Sequence, residues 1–112
     1  MYIKSTSTVH QITLIFEDVG TLQPQDPVTK QGLIIGSVAS VAYHDKSALV
    51  VISFDNPILL RDSSRFINYN YSLMGERRLK IIPSKKGSYI KPGQEIRGEF
   101  ELGISEAMHK MQ

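Results

Sequence analysis

RFINYNYSLMGERRLKII, residues 65–82, is the stretch that decides the fold. Arg65 to Tyr69 alternates apolar and polar side chains, and Leu79-Lys80-Ile81-Ile82 resumes after a gap over Asn70 to Arg78. Period-two alternation rich in Phe, Ile and Tyr predicts half-buried strands rather than an amphipathic helix. The gap itself is unusual. A connection is normally polar and lies on the surface, yet this one carries Leu73 and Met74 side by side before Gly75.

The same short, punctuated runs extend in both directions, which predicts an all-β domain. Upstream, Val9 to Phe16 places Ile12, Leu14 and Phe16 on one face, and residues 17–27 read as irregular because Gly20, Pro24 and Pro27 interrupt any ladder. Val28 to Gln31 is a short strand and Leu33 to His44 a longer one, with Gly36 marking a bulge or bend. The turn His44-Asp45-Lys46-Ser47 leads into Ala48 to Phe54, so continuously apolar that both faces should be covered, and Asp55-Asn56-Pro57 should end it. Downstream, Ser84 to Gly87 is a loop, Ile90-Lys91-Pro92-Gly93 a tight turn and Glu95 to Phe100 the last strand. The count is seven strands. Past Gly103 the spacing of Ile104, Met108 and Met111 is helical. The expected division is a barrel over residues 1–102 and the start of a C-terminal helix or tail over 103–112.

At 112 residues, with 41% hydrophobic and 21% charged side chains, the chain has the composition of one folded domain. With no cysteine, disulfides, thiolate metal sites and a cysteine nucleophile are excluded. No apolar run reaches the roughly 20 residues that span a bilayer. Residues 1–60 hold three lysines and five acidic residues, and 61–112 hold ten Lys/Arg and six acidic residues. That mild imbalance does not mark a nucleic-acid-binding protein by itself.

His10, His44 and His109 are too scattered for a metal site, and Glu17, Asp18 and Asp26 lack the pattern of a calcium loop. No serine elbow or phosphate-binding glycine loop is present, so neither an enzyme, a cofactor nor a metal is expected. The cations Arg77, Arg78 and Lys80, interleaved with Tyr69 and Tyr71, offer an alternative: a small barrel that binds nucleic acid through this basic face. Leu73 and Met74 leave two readings open. Either Leu73 tucks into the core and Met74 is incidentally exposed, or both project toward an apolar ligand or a partner subunit.

At this loop SLMGERRLKIIP (residues 72–83) resembles the signature of mammalian cell entry (MCE) domains of the MlaD type. FEDVGTLQPQDPV (16–28), QGLIIGSVASV (31–41) and IKPGQEIRG (90–98) resemble further blocks of that family in the same order. The resemblance implies a seven-stranded β-barrel assembling as a homo-oligomeric ring, typically a hexamer, around an apolar channel for phospholipid or another lipid. It also implies ABC permease and ATPase partners, and a place in the bacterial periplasm or another extracytoplasmic face, held to the inner membrane by an anchor outside this sequence. Leu73 and Met74 match the family's paired pore-lining residues, and Tyr71, Ser72, Gly75 and Glu76 its pore-loop turn. Three positions depart from the pattern: Thr21 and Gln25 stand where glycine is common, and Met74 where the pair has a second leucine.

Overall fold

A computed structural model describes residues 8–102. Its strands are β1 (Val9–Phe16), β2 (Pro27–Lys30), β3 (Leu33–His44), β4 (Ser47–Ile58), β5 (Arg65–Asn70), β6 (Arg77–Ile82), β7 (Glu95–Arg97) and β8 (Glu99–Phe100). They form one sheet in the order β7-β1-β4-β3-β2-β6-β5-β8. The two ends of that order are neighbours in sequence. β7 runs parallel to β1, with Leu14 opposite Ile96, and β8 runs parallel to β5, with Ile67 opposite Glu99. One segment thus serves both edges of the sheet and curls it into a barrel.

Gly98 makes that crossing possible. Its N–H donates to the Ile15 carbonyl at 2.8 Å, and a Cβ at this position would collide with the Phe16 ring. The break at Gly98 is why eight strands appear where seven were expected: Glu95 to Phe100 is one run of chain with two partners.

β4 lies between β1 and β3 and alternates buried Ala48, Val50, Ile52 and Phe54 with half-buried Leu49, Val51 and Ser53. One face enters the core and the other is partly covered. Asp55-Asn56-Pro57 does not end the strand, which continues to Ile58. The register to β1 instead jumps from Gln11–Ser53 to Val9–Ile58, so these residues bulge out of that ladder and proline's missing N–H breaks no rung there.

β3 carries two irregularities around Gly36: Val28 pairs with Gly36 and Thr29 with Ile34, leaving Ile35 over, and Val38–Ile52 is followed by Ser40–Val51, leaving Ala39 over. A side chain at Gly36 would strike the Ser53 carbonyl oxygen, so glycine allows the close approach of β3 and β4. β2 stops at Lys30, one residue short of expectation, because Gln31 (φ 53°) and Gly32 (φ 83°) form a two-residue hairpin turn with both residues left-handed.

The barrel encloses Leu14, Phe16, Val28, Val38, Val50, Ile52, Phe66, Leu79 and Ile90. Each such side chain contributes roughly 1.5–3 kcal/mol relative to an exposed one. Among the described residues no helix is long and apolar enough to cross a membrane, and the expected helical segment from Ile104 lies outside them.

Candidate functional site

β5 and β6 form a hairpin whose last ladder pair is Asn70 and Arg77, so the connection shrinks from the expected Asn70–Arg78 to residues 71–76. The Tyr71 N–H donates to the Glu76 carbonyl at 2.7 Å, and the Gly75 N–H donates to the Ser72 carbonyl at 3.1 Å. Leu73 and Met74 are therefore the two central residues of a β-turn, not part of an extended loop. The turn chemistry is legible in Ser-Leu-Met-Gly, since serine favours the first position of a type I turn and glycine the fourth. Gly75 sits at φ 89°.

Polar groups brace the turn from below. The Ser72 hydroxyl accepts from the Met74 N–H at 3.2 Å and donates to Glu76 Oε1 at 3.1 Å. The Asn70 amide donates to the Ser72 carbonyl at 2.7 Å. From a different part of the chain, the Thr21 hydroxyl donates to the Gly75 carbonyl at 2.5 Å. Above this base Leu73 is 84% and Met74 88% exposed, so Leu73 does not tuck into the core. Tyr71, Ser72, Gly75 and Glu76 are all in the same turn, and each is exposed or half-buried.

Strand alternation separates the basic residues. Arg77 shares the inward phase of Leu79 and Ile81 and is only 3% exposed. It donates to the carbonyls of Asn68 (3.2 Å) and Glu101 (2.6 Å) and lies 4.3 Å from the Phe100 ring centroid. Arg78 and Lys80 face outward, stacked on Tyr71 at 3.4 Å and on Tyr69 at 4.7 Å. The expected Arg77/Arg78/Lys80 surface is thus corrected: Arg77 is a buried structural group, and two half-buried cations remain.

The turn before β2 approaches the same base. Gln25 has φ 81°, a conformation that suits glycine, and Asp26 Oδ2 accepts from the Gln23 N–H at 2.9 Å. Burial raises the Asp26 carboxyl above its usual range, opposed by the Gln23 hydrogen bond; the charge of Glu76 adds to the rise and that of Arg78 counters it. His10 and His44 stand exposed on different strands, and His109 lies outside the described residues. Among the described residues no three His, Cys, Asp or Glu converge as a metal site.

Two features went unread in the sequence. The Thr21 clasp has no local signal, because it joins positions 54 apart. The exposed apolar residues Leu33 and Ile34, which follow the Gln31-Gly32 turn, could have been found from that turn.

A family model described as "MlaD protein" matches residues 9–84. The fold is similar to that of a chain in the Acinetobacter MlaFEDB complex in its ATP-bound Vtrans1 conformation, with a TM-score of 0.76 and 17% identity over 97% of this chain and 84% of that one. No curated protein matches the sequence.

Proposed function

Because this chain belongs to the MlaD family, we propose that it is the lipid-binding component of an ABC-type transport system and carries out no bond-making step itself. It works in this reading as a homo-oligomeric ring, with six copies by the family's pattern, on the extracytoplasmic side of the inner membrane. An ABC permease and ATPase supply the energy.

The observation that supports the reading is the adjacent exposure of Leu73 and Met74 on a turn braced from below. Two bulky apolar side chains lifted into solvent contribute nothing to their own core. They offer contact to another apolar body. An acyl chain leaving water gains roughly 0.8 kcal/mol per CH₂, so a lipid conduit needs a continuous apolar lining. One copy presents too little surface to enclose a chain, whereas rotational symmetry repeats the pair around an axis and joins the patches into a collar. Tyr71, Ser72, Gly75 and Glu76 hold the turn in shape, and Leu73 and Met74 touch the lipid.

The test is the mass of the intact native assembly, followed by mass spectrometry of extracted lipid. A multimer carrying phospholipid, lost when Leu73 and Met74 are both replaced by serine, is the expected result. A monomer whose lipid content ignores those substitutions would sink the reading.

A further inference from the structure

Met74 is the one methionine among residues 8–102, and at 88% exposure its thioether stands at the most accessible point of the turn. Its backbone N–H is already held by the Ser72 hydroxyl and the turn is pinned by Thr21, so the side chain is presented on a fixed base. Where the family resemblance places a leucine, this chain carries a side chain of similar size and apolarity with one added property. A thioether sulfur is oxidised by two electrons under conditions that leave a hydrocarbon untouched.

We propose that Met74 is a reversible oxidation site through which peroxides or hypochlorous acid shut down lipid binding at the turn; the inference rests on the lipid-contact role given above. With a peroxide the sulfur lone pair attacks oxygen, an S–O bond forms and the O–O bond breaks; with hypochlorous acid it attacks chlorine and releases hydroxide, and water then displaces chloride from the chlorosulfonium to form the S–O bond. Hydrogen peroxide leaves as water, and hypochlorous acid leaves as chloride and a proton. The sulfur is oxidised and the oxidant reduced, with the products methionine sulfoxide and one small leaving group. The sulfoxide oxygen is a strong hydrogen-bond acceptor, and an acyl chain offers it no donor. A surface suited to lipid becomes one that holds water. In a symmetric assembly the change occurs once per copy around a shared axis, and a sulfoxide reductase can restore each thioether.

The experiment measures binding of a phospholipid with a fluorophore on one acyl chain, delivered from phosphatidylethanolamine vesicles to the full chain before and after hypochlorous acid treatment. Peptide mass spectrometry follows oxygen addition at Met74. Binding by the unmodified sequence should fall at least about tenfold, the equivalent of roughly two methylene contacts, in step with oxygen addition, and should return after sulfoxide reductase treatment. Met74→Leu, compared with its own untreated level, should lose no binding on treatment. Undiminished binding by protein fully oxidised at Met74, or an equal loss in Met74→Leu, overturns the proposal. A Leu73→Ser/Met74→Ser variant separates the two levels: if it binds lipid normally, the lipid-contact reading has failed, whereas if it does not bind while the oxidised protein does, only the oxidation inference has failed.

Discussion

The Thr21 hydroxyl donates a 2.5 Å hydrogen bond to the Gly75 carbonyl, tying the loop after β1 to the turn that lifts Leu73 and Met74 out of the barrel. A connection that would otherwise hang from two strand ends gains a third point of attachment. Thr21→Val keeps the shape of the side chain and removes the donor. An exposed neutral hydrogen bond is worth about 0.5–1.5 kcal/mol, so the melting temperature should drop only slightly. Amide exchange at Gly75 should accelerate, while exchange at core positions such as Val50 stays as it was. Unchanged exchange at Gly75 would show that the clasp does not hold the turn.

Leu73→Ser and Met74→Ser remove apolar groups that stand 84% and 88% exposed among the described residues. Urea denaturation should place the folding stability of the double variant within about 0.5 kcal/mol of the original. A large loss of stability would mean that the pair supports the fold after all.

Arg77 and Arg78 are adjacent in sequence and opposite in consequence. Arg77→Ala removes a buried donor to the Asn68 carbonyl and a part-buried one to the Glu101 carbonyl, and should destabilise by about 2 kcal/mol or more. Arg78→Ala removes an outward cation stacked on Tyr71 and should cost less than about 1 kcal/mol. Equal effects in denaturant titrations would contradict the phase assigned to β6.

Gly98→Ala places a methyl group against the Phe16 ring. Overpacking of this kind costs about 1–3 kcal/mol. Combining it with Phe16→Leu, which vacates part of that volume, should recover some of the loss. If the double variant is no better than the sum of the single ones, the collision is not the cause.

The Arg65 guanidinium donates to both carboxylate oxygens of Glu99, at 2.9 and 2.7 Å, linking β5 to β8. These hydrogen bonds hold the Glu99 carboxyl below its ordinary value of 4.5. A group with a lowered folded value contributes stability above its unfolded value and loses it as pH falls through the folded one. Asp26, raised by burial, acts in the opposite sense: its contribution is present below its ordinary 3.8 and is lost as pH rises through the folded value. Glu99→Gln should therefore flatten the fall in melting temperature on acidification below pH 4.5. An unaltered acid limb would show that the pair makes no contribution.

β1 and β3 were legible to the residue, because Val9–Phe16 and Leu33–His44 are bounded by strong punctuators. The exposure of Leu73 and Met74 was legible as an anomaly of composition. Arg77 was misread because β6 was started at Leu79; extending the inward phase of Leu79 and Ile81 back by two residues would have placed it inside. The run past Asp55-Asn56-Pro57 was not legible, since a bulge depends on the partner strand as much as on its own residues. The Thr21–Gly75 clasp and the double duty of residues 95–100 are long-range pairings, and local pattern carries no trace of either.

That double duty shapes how the protein is made. In chain order β1 and β5 both precede residues 95–100, so one row of backbone groups on each finds its partner only when the last segment has been made. A strand edge without its partner is a template for pairing with another chain, and residues 95–100 cover two such edges at once.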